Sequence, residues 1–206
     1  MTTSKALIFD LGGVIIDVDV PETLRQFAAL SGRTGDEIYD LYRSTSAFND
    51  FEKGLIDASQ FRRTVRALLD VPAASDQQLN DAWNAMIRSI PLEKIELLKR
   101  LKESYEVFIL SNTNDLHVDY VNHTILPPLK SVRSFDECVH HVYYSHLMKM
   151  RKPDEEIFQY LLDAHNLDPS DTVFLDDNEE NIAAATRLGM TGTLVTHPDM
   201  VFELFA

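Results

Sequence analysis

The first chemically suggestive segment of the sequence is an apolar run that ends in a carboxylate. Residues 7–9 lead into Asp10, and Gly12 and Gly13 follow two and three positions later. Burying a carboxylate costs free energy, and paired glycines weaken a strand. The segment therefore does not favour stability, but it is well suited to presenting a nucleophile at the carboxyl edge of a parallel sheet.

Three later segments carry polar side chains of complementary types. Ser111 and Asn112 follow a second apolar run, Asp176 and Asp177 follow a third, and Lys152 lies between them in the chain. Carboxylates suit a hard divalent cation, a hydroxyl and an amide suit phosphate oxygens, and a lysine balances charge. Together with an acidic nucleophile, these are the residue types that phosphoryl transfer requires.

The elements that must position these side chains are predicted from hydrophobic patterning. Short apolar runs predict strands, and helical periodicities alternate with them in the second half of the chain. This alternation predicts an α/β fold with a doubly wound, Rossmann-like parallel sheet, in which the carboxyl ends of the strands meet at one crevice. The predicted strands span residues 6–9, 107–110, 139–144, 173–175 and 193–195.

A helical insertion interrupts this alternation directly after the first strand. Residues 17–90 contain no convincing strand, and their hinges lie beside Asp10, so they predict a helical-bundle cap over the site rather than a simple extra layer. The predicted domains are a core of residues 1–16 and 91–206 and a cap of residues 17–90. The predicted cap helices span residues 22–31, 36–46, 58–69 and 76–89.

Composition limits the partners of the chain. The 206 residues carry 19 Lys and Arg against 33 Asp and Glu, a formal charge of −14. This charge argues against nucleic acid or an anionic membrane as a partner. The single cysteine, Cys138, permits no intrachain disulfide, and no signal peptide or membrane span is expected, so we predict a cytoplasmic protein. A monomer and a homodimer are both compatible with the sequence.

The motifs, taken in this order with a helical insertion after the first, resemble those of the haloacid dehalogenase (HAD) superfamily over essentially the whole chain. Within that superfamily the chain more closely resembles the bacterial α-D-glucose-1-phosphate phosphatase group. The segments that carry the resemblance are Phe-Asp-Leu-Gly at 9–12, Phe-Asn-Asp-Phe-Glu-Lys-Gly at 48–54, Leu-Ser-Asn-Thr-Asn at 110–114, Met-Arg-Lys-Pro at 150–153 and Asp-Thr-Val-Phe-Leu-Asp-Asp-Asn at 171–178.

The resemblance implies a phosphomonoester hydrolase that acts through an aspartyl-phosphate intermediate on a small phosphorylated metabolite, first a sugar phosphate such as glucose-1-phosphate. Asp10 would attack phosphorus, and Ser111 and Asn112 would hydrogen-bond the transferring group. Lys152 would neutralise charge, and its Lys-Pro pair favours it over the neighbouring cations Lys149 and Arg151.

The resemblance also implies a Mg²⁺ cofactor. Its ligands would be a carboxylate oxygen of Asp10, the main-chain carbonyl of Gly12, and Asp177. Asp176 is a further candidate ligand, and the sequence leaves open whether it binds the metal. Because the ligand at position 12 belongs to the main chain, the glycine there does not remove it.

Gly12 departs from the commoner pattern of the superfamily, in which an Asp at this position protonates the leaving group and then activates water. Such acid–base help is typically worth about 10²–10⁴ in rate. Three interpretations remain open: the leaving group needs little protonation, another group such as Glu52, Asp17 or water substitutes, or turnover is slow or absent.

Two alternative functions follow from the same motifs. A 2-haloacid dehalogenase would use Asp10 to attack carbon and needs no metal, which the pair Asp176 and Asp177 argues against. A catalytically silent binding module is favoured by Gly12, but the retained opposed charges argue against it. On the cap, the candidate substrate contacts are Asp17, Phe48, Glu52 and Lys53.

Overall fold

The computed structural model describes residues 5–206 and confirms the predicted α/β sheet. Five parallel strands form one sheet in the order β3-β2-β1-β4-β5, so the first strand is central. Phe9, the last residue of the first strand, lies opposite Ile109 on one neighbour and Leu175 on the other. The strands are β1 (Ala6–Phe9), β2 (Glu106–Ser111), β3 (His141–Tyr144), β4 (Thr172–Asp176) and β5 (Thr191–Leu194).

Helices cover the sheet and fill the insertion after β1. No helix within residues 5–206 has both the length and the hydropathy that a membrane span requires. The helices are α1 (Val20–Ser31), α2 (Gly35–Arg43), α3 (Ala47–Glu52), α4 (Ala58–Leu69), α5 (Asp76–Asn84), α6 (Leu92–Lys102), α7 (Asp115–Tyr120), α8 (Ser145–Met148), α9 (Glu155–His165), α10 (Glu179–Arg187) and α11 (Met200–Leu204).

Both faces of the sheet are buried, which explains why its central strands are continuously apolar. Successive residues of a strand point to opposite faces. Phe9 accordingly packs in the cluster that contains Ile95 of α6, and Ile8 packs in the cluster that contains Phe158 of α9 and Ala185 of α10. The rigid sheet between these two layers fixes the positions of its strand ends.

The insertion, residues 17–90, which we call the cap, has an apolar core of its own. Phe51 stacks on Phe61 with ring centroids 4.3 Å apart, and Phe61 contacts Trp83 at 5.1 Å. Two helix starts follow the sequence closely: Thr34 and Ser75 cap α2 and α5, each through a reciprocal capping box.

Two cap helices differ from the sequence prediction. The short helix α3 forms where none was expected, because six residues are too few to show a helical period. Helix α5 ends at Asn84 rather than at residue 89, because the following main chain pairs with residues 17–19 instead. There Met86 accepts a hydrogen bond from the Asp19 N–H at 2.8 Å.

The two linkers that join the cap to the sheet run side by side. The Asp17 N–H donates to the Ser89 carbonyl at 2.8 Å, and the Arg88 N–H donates to the Asp17 carbonyl at 2.9 Å. Ser89 also donates its hydroxyl to the Asp17 carboxylate at 2.8 Å. One linker follows β1 and the other precedes α6, so this pairing sets the position of the cap above the sheet edge.

Candidate active site

The three central strands deliver their polar residues to one cavity. Asp10 follows β1, Ser111 ends β2 and Asp176 ends β4, and these strands are neighbours in the sheet. A cavity of about 400 Å³ between the sheet edge and the cap is lined by Asp10, Ser111 and Asp177. Asp176 lies directly behind this surface and is fully buried.

Lys152 reaches this edge from the loop before α9 and bridges two carboxylates. Its buried Nζ lies 2.9 Å from Asp10 Oδ1 and 2.6 Å from Asp176 Oδ2. Burial lowers the pKa of Lys152, but the two carboxylates outweigh burial and hold its pKa above the ordinary value. The amine therefore stays protonated next to Asp10 and can balance additional negative charge.

The carboxyl group of Asp10 is buried, which disfavours its charged form. Burial raises the pKa of its carboxyl to about 7, against the opposing effect of Lys152. A divalent cation beside this carboxylate would favour its ionised form. The environment of Asp10 thus suits a group that becomes a nucleophile when cations surround it.

Asp176 and Asp177 have different surroundings although they are adjacent. Asp176 accepts hydrogen bonds from Lys152 Nζ, from the Asn178 N–H at 2.8 Å, and from Asn181 Nδ2 at 3.0 Å to each oxygen. Asp177 is exposed to the cavity, and no Lys, Arg or His of residues 5–206 lies within salt-bridge distance of it. Asn178, rather than either aspartate, caps α10.

This acidic cluster fits a magnesium site. Asp10, Asp176 and Asp177 each offer a carboxylate oxygen, and the three oxygens lie within 4.8 Å of one another. Hard oxygen donors are the ligands that Mg²⁺ prefers. Asp10 and Asp177 have oxygens free for a cation, whereas the four hydrogen bonds of Asp176 suit it better to holding Lys152.

The two glycines after Asp10 have different structural roles. Gly13 has a φ of 73°, and a Cβ there would overlap the Asp177 carboxylate. Gly12 has ordinary backbone geometry, and the nearest atom to its Cβ would be Val18 Cγ1 at 3.6 Å. The close approach to Asp177 therefore requires glycine at position 13, whereas position 12 accepts a Cβ without a clash.

Asn112 is oriented differently from the sequence expectation. Its side-chain amide, expected to hydrogen-bond the phosphoryl group, is instead paired with the main chain of Lys152 in both directions. No local sequence pattern could predict this pairing, because Asn112 and Lys152 are 40 residues apart. The Ser111 hydroxyl does line the cavity, and it forms no hydrogen bond with another residue of the described chain.

The cap contributes some of the predicted substrate contacts and lacks others. Phe48 and Glu52 line the cavity, whereas Asp17 is held by Ser89 and Lys53 pairs with Asp154 at 2.7 Å. The rest of the cap wall is mostly apolar, with Thr23, Tyr39 and Tyr42 as its hydroxyl-bearing members. It was missed because an amphipathic stripe does not reveal which members face a cavity. These further cap residues include Val18, Val20, Leu24, Phe27, Ile38, Trp83, Met86 and Ile87.

Glu52 forms an ion pair between cap and core. Arg151 donates to Glu52 Oε2 from Nε at 3.1 Å and from Nη2 at 2.9 Å, and both residues line the cavity. The main chain of the same cap segment is also fastened: Ser145 donates to the Glu52 carbonyl at 2.6 Å, and Lys149 donates to the Gly54 carbonyl at 2.5 Å. Residues 52–54, which we call the docking segment, are thus held to the core independently of the Glu52 side chain.

A second contact between cap and core involves a neutral histidine. His117 of α7 stacks on Trp83 of α5 with ring centroids 4.8 Å apart, and its Nε2 donates to the Trp83 carbonyl at 3.3 Å. Burial lowers the pKa of His117 to about 4. Trp83 Nε1 donates in turn to Asn114 Oδ1 at 3.3 Å. The side-chain nitrogens of Trp83 and His117 and the Trp83 carbonyl are therefore occupied by internal hydrogen bonds.

The chain is similar to two curated phosphatases. It is 29% identical over 186 residues to the D-ribitol-5-phosphate phosphatase of Bacteroides thetaiotaomicron, covering 90% of this chain and 88% of that protein. It is 24% identical over 202 residues to the sesquiterpene phosphatase AstK of Aspergillus oryzae, covering 95% of this chain and 91% of that protein.

A solved structure supports the same relationship. A HAD family enzyme of Bacteroides thetaiotaomicron, crystallised with magnesium and inorganic phosphate, superposes with a TM-score of 0.83 at 34% identity, covering 92% of this chain and 93% of that one. Residues 4–189 match the family model described as haloacid dehalogenase-like hydrolase. Sequence motifs, fold and comparisons therefore agree that the chain belongs to the haloacid dehalogenase-like hydrolase family.

Proposed function

We propose that the protein is a Mg²⁺-dependent phosphomonoester hydrolase that acts through an aspartyl-phosphate on a small phosphorylated metabolite. The observation that carries the proposal is the placement of one ammonium group, Lys152 Nζ, between Asp10 and Asp176, with Ser111 and Asp177 on the wall of the same cavity. The named activities of the two curated relatives support a phosphatase.

The residues divide the chemistry between them. Asp10 attacks phosphorus, Ser111 donates its hydroxyl to a phosphoryl oxygen, and Lys152 balances the charge of both groups. Asp10, Asp177 and the Gly12 carbonyl would hold Mg²⁺, which supplies positive charge to the transferring phosphoryl group when it is bound. Asp176, fixed by Asn181, keeps the Lys152 ammonium aimed at the nucleophile.

A sugar phosphate is the first candidate substrate. The similarity of the motifs to α-D-glucose-1-phosphate phosphatases favours glucose-1-phosphate, and the ribitol-5-phosphate relative supports a polyol or sugar phosphate more broadly. Cytoplasmic location and a monomeric or homodimeric state stay predictions from the sequence.

A specific observation favours a second substrate class, a phosphomonoester with an apolar body. The cap wall is largely aliphatic and aromatic. The side chains of Thr23, Trp83 and His117 already form hydrogen bonds within the protein. A sugar would leave its hydroxyl groups poorly paired against such a wall. The sesquiterpene phosphatase relative acts on a compound of this second kind.

A phosphate-release screen tests both the activity and the substrate class. The panel contains glucose-1-phosphate, ribitol-5-phosphate, an isoprenyl monophosphate, a nucleotide and p-nitrophenyl phosphate, each with Mg²⁺ and with EDTA. We expect Mg²⁺-dependent release that Asp10→Asn abolishes, with the preferred substrate identifying the class. Unchanged release by Asp10→Asn, or halide release from 2-chloropropionate without metal, would overturn the proposal.

A further inference from the structure

The position of Glu52 suits it to replace the general acid that is missing at position 12. Building on the proposed phosphatase activity, we propose that Glu52 protonates the departing oxygen of the substrate and afterwards accepts a proton from the attacking water. The role belongs in relatives to an aspartate two positions after the nucleophile, and Gly12 cannot perform it.

The direction of the reaction places the departing oxygen on the cap side. In phosphoryl transfer the attacking and leaving oxygens are roughly in line. Asp10 approaches from the sheet edge, so the leaving oxygen points away from the sheet toward the cap. Asp10, Asp177 and Glu52 are the acidic residues that line the cavity, and Glu52 is the one that the cap contributes.

Two other titratable residues near this site, His117 and Asp17, are less suited to proton donation. His117 has both ring nitrogens within hydrogen-bond distance of partners, Asn114 and the Trp83 carbonyl, and burial keeps it neutral by lowering its pKa to about 4. Asp17, the second substitute suggested by the sequence, does not line the cavity and is held by Ser89 in the linker pair.

The ion pair leaves one oxygen of Glu52 available. Both Arg151 nitrogens donate to Oε2, and Oε1 forms no hydrogen bond with a residue of the described range 5–206. A proton can therefore reside on Oε1 while the Arg151 contacts are retained. Burial raises the pKa of Glu52, with Arg151 and then Lys152 opposing it, so the protonated form is favoured more than for an ordinary glutamate.

The proton cycle balances over the two half-reactions. An Asp10 oxygen forms a bond to phosphorus, the bond from phosphorus to the leaving oxygen breaks, and that oxygen takes the proton from Glu52. Water then attacks the phosphorus of the aspartyl-phosphate, gives its proton to the Glu52 carboxylate, and releases phosphate as the bond to Asp10 breaks. Asp10 and protonated Glu52 are regenerated.

Leaving-group dependence tests this assignment. p-Nitrophenyl phosphate departs without proton donation, whereas an alkyl phosphate needs it. We expect Glu52→Gln to lower kcat/KM for the alkyl ester by about 10²-fold. The kcat/KM for p-nitrophenyl phosphate should fall much less, because kcat/KM reports the first half-reaction, in which this leaving group needs no proton. Retained p-nitrophenyl phosphate hydrolysis also shows that the variant is folded.

Restoring an acid at position 12 in the Glu52→Gln variant distinguishes a catalytic role of Glu52 from a structural one. A Cβ at position 12 would meet only Val18, at an ordinary contact distance, so the double variant Gly12→Asp with Glu52→Gln should regain much of the lost alkyl phosphatase activity. Lys53→Met is the matched control, because it removes the Lys53–Asp154 contact of the docking segment without removing an acid. It should affect both substrates by the same factor.

The pH profile gives an independent readout. Arg151, Lys152 and Tyr42 are the charged or titratable groups that influence Glu52, and burial raises the pKa of Tyr42. The alkyl phosphatase kcat/KM of the wild type should fall as pH rises through the pKa of Glu52, and this limb should be absent in Glu52→Gln.

Two outcomes would overturn the assignment. One is an equal loss for the two substrates in Glu52→Gln without rescue by Gly12→Asp, which would make the residue structural. The other is no loss for either substrate. Failure of the proposed function itself is distinguishable, because Asp10→Asn would then leave p-nitrophenyl phosphate hydrolysis unchanged.

Discussion

The side-chain amide of Asn112 forms a two-point pair with the main chain of Lys152. Asn112 Nδ2 donates to the Lys152 carbonyl at 2.8 Å, and the Lys152 N–H donates to Asn112 Oδ1 at 2.9 Å. The pair ties the end of β2 to the loop before α9. It therefore fixes the base of the side chain whose Nζ contacts Asp10.

Loss of this pair should impair catalysis without removing any charged group. In Asn112→Ala the Lys152 main chain loses both anchors, and misplacement of a catalytic group by about 1 Å can cost about 10²-fold in rate. We expect kcat for the best substrate to fall by that order while Mg²⁺ affinity changes little. A wild-type kcat in a correctly folded variant would contradict this positioning role.

Lys152 itself should matter for both activity and stability. In Lys152→Met the buried Asp176 carboxylate loses its cation, and breaking a buried ion pair costs about 3–5 kcal/mol. We expect phosphatase activity to fall by at least about 10²-fold and denaturant unfolding to show the loss of stability. Lys149→Met is the control, because Lys149 contacts the Gly54 carbonyl instead of the acidic cluster.

The two glycines should respond differently to the same small substitution. A Cβ at position 13 overlaps the Asp177 carboxylate, whereas a Cβ at position 12 makes an ordinary contact with Val18. Gly13→Ala should therefore displace Asp177 and raise the Mg²⁺ concentration needed for half-maximal activity by about tenfold or more. Gly12→Ala should leave that concentration close to wild type. Equal Mg²⁺ curves for the two variants would count against Asp177 as a metal ligand.

His117 should make stability depend on pH in the acidic range. Its pKa is about 4 in the folded protein against an ordinary value of 6.5, so between these values the unfolded chain binds the additional proton. The free energy of unfolding therefore falls as pH decreases from 6.5 toward 4, by roughly 2–3 kcal/mol from this residue. Denaturant unfolding at pH 7 and pH 5 measures the effect. His117→Gln should show a smaller difference between the two pH values, and an identical difference would exclude His117 as the cause.

Local patterns were sufficient to predict the sheet and several helix starts. Strands buried on both faces are continuously apolar, and the reciprocal caps at Thr34 and Ser75 depend on residues three positions apart. The short helix α3 lacks a period, and the end of α5 is decided by pairing with Asp19 far earlier in the chain. The helical spacing of apolar residues continues past Asn84, but main-chain pairing with residues 17–19 ends the helix there.

The candidate site was predictable in its residue types and less so in its contacts. Asp10, Ser111, Lys152 and Asp177 are marked by apolar runs and known motifs, and the fold brings them to one sheet edge. The Glu52–Arg151 ion pair joins residues 99 positions apart, and no local signal links them. Likewise, nothing in the sequence distinguishes the free carboxylate of Asp177 from the saturated one of Asp176.

Different parts of the cap are held to the core to different degrees, and this has a consequence for evolutionary change. The docking segment is bound to α8 and the loop before α9, whereas α1 packs on α5 and α2 packs on α1. Substitutions along α1 and α2, at positions such as Leu24, Ile38 and Tyr39, would reshape one wall of the cavity while Glu52 and the sheet-edge groups stay in register. New substrate preferences can therefore arise in this lineage by neutral drift of two helices, with the phosphoryl-transfer machinery inherited intact.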